Sequence, residues 1–181
     1  MRKWMGTLLA ALLTLCGVLC FSGCSAGGSA EAHETVTKFS SEIEIAMGES
    51  KISCKLQRKA AGDVSLTVDE PVQLSGMGFE WKNNRYAISY NGLRTETENP
   101  FLPSSSFASA VVAVLDAAEN GDALKSGEEK DGLVSYQGES SCGAYQYLVN
   151  SETGYIEQIL LDNLGIKAVL SNHQKIEQPA G

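Results

Sequence analysis

The chain has 181 residues, a formal net charge of −8 at pH 7, and a composition that is 43% hydrophobic and 20% charged. This length suits one domain with a substantial core. The negative charge argues against binding to nucleic acid or to anionic lipid head groups, because both repel an acidic protein. Any attachment to a membrane must therefore come from a lipid rather than from a basic face.

Residues 1–23 have the pattern of a secretory signal peptide. Arg2–Lys3 precede a run without charge that extends to residue 21, and the small pair Ser22–Gly23 stands directly before Cys24. We expect cleavage there, which makes the cysteine the first residue of the mature chain. The alternative is an uncleaved transmembrane helix, because about 18 uncharged residues approach the length that spans a bilayer. Both alternatives place the folded part outside the cytoplasm.

The end of this segment resembles the lipobox of bacterial lipoproteins. In that group the cysteine thiol is acylated before the signal peptide is removed, so the resemblance implies lipidation of Cys24. Each buried methylene group contributes about 0.8 kcal/mol to membrane binding, and two or three acyl chains give a stable tether. The resemblance thus implies a protein anchored by lipid to the extracytoplasmic face of the cell membrane.

Two further cysteines, Cys54 and Cys142, belong to the folded domain, because Cys16 and Cys20 leave with the signal peptide. Two thiols outside the cytoplasm can form a disulfide. The alternative is two separate buried thiols that pack as small hydrophobic side chains. The sequence leaves both alternatives open. Neither cysteine belongs to a C-x-x-C motif, the usual signature of redox catalysis or zinc binding.

After the signal peptide, residues 24–37 are small and polar and predict a flexible linker about 20 Å long. A single domain is predicted for residues 38–172. Its first half shows the alternation of apolar and polar residues that is typical of half-buried strands, joined by short turns. A polar loop is predicted for residues 93–103. The five strands predicted before that loop are 39–47, 51–56, 63–69, 72–81 and 86–90.

The second half begins with the one clear helix pattern. Apolar and small residues recur at helical spacing from Phe107 to Ala118, and Asn120–Gly121 provides the stop signal. A charged loop over residues 125–131 and a loose polar tail over residues 173–181 are also predicted. Four more strands are predicted at 133–139, 143–150, 155–162 and 166–171. The predicted fold class is therefore α+β, a curved antiparallel sheet of about nine strands wrapped on one helix inserted in mid-chain.

This order of elements resembles the LolA/LolB-like lipoprotein carriers and related single-membrane lipoproteins, including spore-germination lipoproteins. The resemblance covers residues 39–171 as an order of elements only, so no functional residue beyond Cys24 is transferred. It implies a half-barrel whose apolar concavity receives acyl chains in the carriers. For the aromatic residues, the alternative is ordinary core packing and cross-strand pairing. Candidates for lining such a concavity are Trp81, Tyr86, Ile88, Phe107, Val111, Val114 and Leu115.

The sequence shows no constellation that points to catalysis. His33 and His173 lie in segments predicted to be mobile, whereas nucleophilic catalysis needs a positioned imidazole. The usual metal, nucleotide and phosphate motifs are missing. The pair of glycines in Gly76–Gly78 favours a bend in a strand over a phosphate loop. We therefore expect no enzymatic activity, no cofactor and no metal site.

Two functions are compatible with these observations. The first is a membrane-anchored module that binds an acyl chain or a lipidated or hydrophobic ligand in the concavity. The second is a non-enzymatic adaptor that holds or activates an envelope enzyme at the membrane, its half-barrel filled by its own side chains. An open apolar volume above about 300 Å³ would favour the first function, and a filled interior would favour the second.

Overall fold

The computed structural model describes residues 35–98, 102–126 and 129–176. Within these ranges the chain forms one antiparallel sheet of eleven strands, a single α-helix and one turn of 3-10 helix. The helix is α1 (Phe107–Asn120), and the 3-10 turn covers Asp162–Leu164. The strands are β1 (Phe39–Met47), β2 (Ser50–Ala60), β3 (Asp63–Glu70), β4 (Gly78–Lys82), β5 (Arg85–Tyr90), β6 (Leu93–Thr97), β7 (Leu124–Lys125), β8 (Leu133–Ser140), β9 (Gly143–Asn150), β10 (Ile156–Leu161) and β11 (Ile166–Lys175).

The strands form two meanders that meet at the centre of the sheet. Their spatial order is β6-β5-β4-β3-β2-β1-β11-β10-β9-β8-β7. The first and last strands of the chain, β1 and β11, therefore pair with each other, and β6 and β7 form the two edges. Because α1 lies between β6 and β7 in the chain, it links the two edges, and it packs on one face of the curved, unclosed sheet.

Alternating side chains explain how the sheet buries one of its faces. In β1, Phe39, Ile43 and Ile45 point to one side and are buried, whereas Glu42 and Glu44 point to the other side and are exposed. The same period of two residues occurs in β2, β3 and β11. We call the side that contacts α1 the helix face and the opposite side the outer face.

Helix α1 has a capping residue at each end. Ser106 has extended backbone angles (φ −69°, ψ 143°), and its hydroxyl accepts a hydrogen bond from the amide of Ser109 (3.2 Å). Gly121 adopts the left-handed conformation (φ 72°) and donates its amide hydrogen to the carbonyl of Ala117. The buried side of the helix consists of small and branched apolar residues: Ala108, Ala110, Val111, Val112, Val114, Leu115, Ala117 and Ala118.

The structure confirms the predicted fold class, a curved antiparallel sheet with one helix inserted in mid-chain. The described residues contain eleven strands rather than about nine, because β6 and β7 lie in or at the border of segments predicted as polar loops. Both are edge strands, and most of their side chains are exposed whichever way they point. An edge strand of this kind has no alternation of apolar and polar residues that a sequence pattern can detect.

Three predicted strand boundaries also differ from the structure. The second strand ends at Ala60 rather than at residue 56. The fourth strand begins at Gly78 rather than at residue 72, because residues 71–77 form a series of hydrogen-bonded turns. The last strand continues to Lys175, beyond its predicted end at residue 171 and beyond the predicted end of the domain at residue 172, because its polar end still pairs with the start of β1. Part of the predicted loose tail is therefore sheet.

Candidate functional site

The helix face of the sheet is occupied by α1. Val111, Val114 and Leu115, three of the predicted lining residues, are at most 1% exposed and belong to the hydrophobic core. Their side chains contact the buried residues of the sheet and make the helix part of the same core. In this structure the three residues are core side chains rather than the wall of an open space.

The other four predicted lining residues lie together at one side of α1. Register pairs Trp81 with Tyr86 across β4 and β5, and Ile88 lies on the same face. Phe107 makes an edge-to-face contact with Phe79, with ring centroids 5.6 Å apart. All four predicted residues are half-buried.

Between these aromatic residues the structure leaves little room. Phe79, Trp81, Tyr86 and Leu102 enclose a cavity of about 10 Å³. A cavity needs roughly 10–15 Å³ to hold a single water molecule. The space at this position is therefore far smaller than an acyl chain requires.

A buried arginine ties α1 to the sheet. Arg58 of β2 is 0% exposed, and its guanidinium donates to the carboxylate of Asp116 (3.0 Å) and pairs with that of Glu119 (2.6 Å), both on α1. It also donates to the carbonyl of Thr37 (2.6 Å), just before β1. One side chain thus joins the helix, the second strand and the segment that leads into the first strand. We call these four residues the Arg58 clamp.

Arg58 was not among the predicted site residues, although the sequence contains a signal for it. The inward positions of β2 are Ile52, Cys54 and Leu56, and Arg58 continues the same series by two residues. A charged side chain at an inward position needs hydrogen-bonding partners of opposite charge. The predicted strand ends at residue 56, so the arginine falls outside the pattern, and its partners on α1 are distant in sequence.

His173 belongs to the predicted loose tail, whereas the structure places it in β11. Its side chain is only 8% exposed, stacks on Tyr155 with centroids 4.6 Å apart, and makes an edge-to-face contact with Phe39. Neither ring nitrogen has a hydrogen-bond partner among the described residues, and Nε2 lies 4.0 Å from a Glu157 carboxylate oxygen. Burial lowers the pKa of His173, and the nearby carboxylate opposes this shift only in part. The imidazole is therefore neutral at pH 7 and packs as an aromatic ring.

The two cysteines of the domain are free and buried. Cys54 lies in β2, and Cys142 lies in the turn between β8 and β9. Burial raises the pKa of the Cys54 thiol to about 12, and the nearby carboxylate of Asp69 adds to this shift. The structure thus has two separate thiols, the second of the alternatives left open by the sequence, and Cys54 carries almost no thiolate at neutral pH.

An open cleft of about 340 Å³ lies on the outer face, where β1, β2 and β11 adjoin. Ala46 pairs with Lys51 on one side and with Lys167 on the other, so the two lysines flank a small residue in one row across the three strands. The Cα atoms of Lys51 and Lys167 are two strand spacings apart, a distance of about 10 Å. Glu44 and Val169 lie in the next row. We call this feature the outer cleft.

The charges of the outer cleft are not paired with one another. Neither Lys51 nor Lys167 takes part in an ion pair among the described residues, whereas the neighbouring Lys55 pairs with Asp69 (3.4 Å). Val169 adds an exposed apolar surface beside the two ammonium groups. Two carboxylates, Glu44 and Glu70, line the same cleft, so it presents positive, negative and apolar groups side by side.

Several predicted features lie outside the described residues. These are the signal peptide (1–23), the lipid site at Cys24, the linker up to residue 34 and the last part of the tail (177–181). Among the residues that are described, no three or more histidine, cysteine, aspartate or glutamate side chains come close enough to hold a metal ion. In the same ranges, no helix has the length and hydropathy needed to span a membrane.

No protein-family model matches the sequence, and no curated protein sequence matches it significantly. Among solved structures, an uncharacterized conserved protein from Thermus thermophilus is similar to this chain, with a TM-score of 0.56 and 9% sequence identity. The likeness covers 82% of this chain and 85% of that chain. At this score the overall fold is shared, and at this identity the likeness concerns the fold alone.

Two other solved structures are similar at lower scores. A LolA superfamily protein from Nitrosomonas europaea has a TM-score of 0.43 and 12% identity, over 83% of this chain and 91% of that chain. The structure of the CwlD amidase from Clostridioides difficile in complex with the GerS lipoprotein has a TM-score of 0.41 and 16% identity, over 80% of this chain and 86% of the matched chain. With TM-scores below 0.5, neither likeness carries a conclusion about function.

Proposed function

We propose that this protein is a non-enzymatic adaptor, anchored by lipid on Cys24 to the extracytoplasmic face of the cell membrane, that holds a protein partner of the envelope. The observation that supports it best is the occupation of the helix face by α1. Binding of an acyl chain needs an apolar volume of about 300 Å³ or more. Here α1 packs its own side chains into the core on that face, and the cavity beside Phe79 and Trp81 measures only about 10 Å³.

The alternative function, acyl-chain binding between helix and sheet, requires α1 to move away from the sheet. The Arg58 clamp opposes this movement, because it would separate the guanidinium from Asp116 and Glu119. Leaving a buried charge without its partner costs about 3–5 kcal/mol. The adaptor function needs no such movement, since its contacts lie on the surface.

In this proposal the outer cleft is the contact surface. Lys51 and Lys167 have no ion pair among the described residues, so a carboxylate of the partner binds between them without displacing an existing pair. Val169 contacts an apolar side chain of the same segment. The partner is thus a protein that presents an exposed acidic residue next to an apolar one.

Cross-linking in intact membranes, followed by recovery of the tagged full-length protein, tests this proposal. The double variant Lys51→Glu, Lys167→Glu reverses both charges of the outer cleft, and we expect it to lose the captured partner. The matched control is Lys82→Glu, which changes an exposed lysine of β4 outside the cleft. We expect the control to capture the partner as the wild type does.

The outcomes separate the two functions. Equal capture by all three proteins would reject the outer cleft, and no dominant partner for the wild type would reject the adaptor. Extraction of the purified protein and mass spectrometry supply the complementary test. A stoichiometric fatty acid or phospholipid would instead support binding of an acyl chain under the helix.

The lipid anchor proposed for Cys24 can be tested separately. In the variant Cys24→Ala we expect metabolic labelling with a fatty-acid analogue to disappear and the signal peptide to remain uncleaved. Labelling of the variant at the wild-type level would contradict a lipid anchor at this cysteine. Its outcome does not depend on the outer cleft.

A further inference from the structure

Strand β6 leaves one edge of the sheet open. It is the outermost strand at this edge, and it pairs only with β5 among the described residues. The opposite edge strand, β7, has two residues, whereas β6 has five. The β6 edge is therefore the longer edge available to a further strand.

The turn before β6 defines which backbone groups face outward. Asn91 and Gly92 both have positive φ (50° and 80°) and connect the register pair Tyr90 and Leu93. A two-residue turn of this kind is flanked by a hydrogen-bonded pair, and hydrogen-bonded and non-hydrogen-bonded pairs alternate along the ladder. Thr95, two residues after Leu93, thus bonds to β5.

The two residues on either side of Thr95 have the opposite orientation. Arg94 and Glu96 pair with Ser89 and Ala87 at the non-hydrogen-bonded positions. Their N–H and C=O groups point away from β5, and no hydrogen bond to them is found among the described residues. Each residue thus offers one backbone donor and one acceptor along the open edge.

We propose that this edge binds a second copy of the chain, β6 against β6, in antiparallel orientation about a two-fold axis at Thr95. In this register Thr95 lies opposite Thr95 of the second copy. Arg94 lies opposite Glu96 of the second copy, and Glu96 lies opposite Arg94 of the second copy. The two outward-facing residues thus exchange backbone hydrogen bonds, and opposite charges face each other at both positions. Such an isologous interface closes as a dimer.

The charges of the edge strand determine this choice of partner. Arg94 already contacts Glu80 (2.8 Å) and Arg85 contacts Glu96 (3.0 Å) within the chain. Charged edge strands normally discourage pairing with other strands, because like charges meet or charges lose water. A second copy in this register avoids like-charge contacts, since each arginine meets a glutamate. Leu93, which is 78% exposed, is also partly covered at the end of the interface.

The predicted interface is small. A five-residue edge buries much less than the roughly 1,000 Å² of a stable complex, so the dimer is weak in dilute solution. Confinement of both copies to one membrane raises their effective concentration, which favours weak pairing. The self-association proposed here rests on the lipid anchor proposed for Cys24, but it uses a surface separate from the outer cleft and does not depend on the adaptor function.

Cysteine cross-linking of the full-length protein in membranes tests the register. Cα atoms of a non-hydrogen-bonded antiparallel pair lie about 4.5 Å apart, within the range that a disulfide spans. We expect Thr95→Cys to form a disulfide-linked dimer under mild oxidation. The matched control is Arg94→Cys, because in this register the two copies of position 94 are about 8 Å apart, which is too far for a disulfide. Wild-type protein measures the background from the native cysteines.

A second variant distinguishes pairing from chance collision. Glu96→Pro in the Thr95→Cys background removes an outward N–H, which an edge strand tolerates. We expect the dimer band to fall at least tenfold while the unfolding midpoint remains within a few degrees. Equal cross-linking at positions 94 and 95, absence of any dimer for Thr95→Cys, or insensitivity to Glu96→Pro would each overturn the proposal.

Discussion

Arg58 and Arg94 each meet two carboxylates, and they do so in opposite surroundings. Arg58 is fully buried between β2 and α1, and its guanidinium contacts Asp116 and Glu119 at 3.0 and 2.6 Å. The side chain of Arg94 is 46% exposed on the outer face, where it contacts Glu80 at 2.8 Å and lies 3.6 Å from Glu96. The local geometry is similar, so the difference between the two sites is their access to water.

This difference decides what each site does for the protein. When the ion pairs of Arg94 are broken, water solvates the arginine and its glutamate partners instead. The exposed network therefore contributes little to stability. Arg58 has no water to replace its partners, so the Arg58 clamp is essential to the position of α1. The exposed network lies beside the open β6 edge, whereas the clamp holds α1 on the helix face.

Removal of the buried guanidinium should have the largest effect. We expect Arg58→Ala to lower the free energy of unfolding by about 3–5 kcal/mol, because it removes three contacts that link α1, β2 and Thr37. Urea unfolding followed by circular dichroism measures the change. Arg58→Lys is the matched control, and we expect a smaller loss, since the charge remains but the planar fork is lost. A loss below about 1 kcal/mol for Arg58→Ala, the range of an exposed pair, would remove the contrast with Arg94.

Two glycines show a similar contrast between a neighbouring side chain that is held in place and one that can move. A Cβ atom at Gly138 would lie 2.6 Å from Cζ of Tyr145, whose ring is buried opposite it. A Cβ atom at Gly78 would meet the hydroxyl of Ser89 at 2.6 Å, and that hydroxyl can rotate. We expect Gly138→Ala to destabilise by about 1–3 kcal/mol and Gly78→Ala by less, as measured by urea unfolding. The reverse order would show that the Tyr145 ring moves more easily than its burial indicates.

His173 tests what happens to a buried group that lacks the partners of Arg58. Its pKa is lowered in the folded state, so the unfolded state binds the proton more readily. The contribution of His173 to the free energy of unfolding is therefore fully present above its pKa in the unfolded state, about 6.5. It declines as the pH falls from there towards the lower pKa of the folded state. We expect a lower unfolding midpoint at about pH 5.5 than at about pH 7.5, beyond the change shown by the control His173→Phe. An equal pH dependence in both proteins would assign the effect to other groups.

Removal of the exposed arginine should have the smallest effect. We expect Arg94→Ala to leave the unfolding midpoint almost unchanged, since Glu80 and Glu96 remain hydrated. The hydrogen bond from Arg94 lowers the pKa of Glu80, so the variant should raise that pKa towards its ordinary value. Nuclear magnetic resonance titration of the Glu80 side chain measures this shift. A large loss of stability in Arg94→Ala would place this network on a level with the Arg58 clamp.

The predictions from sequence succeeded where a pattern repeats over a whole element. Alternation in β1 and β3 and helical spacing from Phe107 onward identified these elements close to their observed bounds. They failed at β6, where both faces are exposed, and at His173, whose polar neighbours suggested a loose tail. The ring is ordered because Phe39 and Tyr155, far away in the chain, contact it.

The candidate site was less accessible from sequence than the fold. Three of the seven proposed lining residues are core residues of α1, because the depth at which the helix packs depends on the curvature of the sheet and on all its neighbours. The outer cleft was missed because Lys51 and Lys167 lie in different strands, β2 and β11. Lys51 faces Ala46 within the β1–β2 hairpin, whereas Lys167 becomes a neighbour of Ala46 only when β1 and β11 pair.

The amino-acid sequence alone thus determines which segments become strands or helix and which side of each is apolar, because those properties depend on residues two to four positions apart. It also contains the leader and the cysteine from which we predict the membrane anchor. Only the tertiary structure decides that the first and last strands are neighbours, that the helix closes the helix face, and that Arg58 finds its carboxylates. These contacts join residues far apart in the chain, and their stability depends on burial, a property of the folded whole.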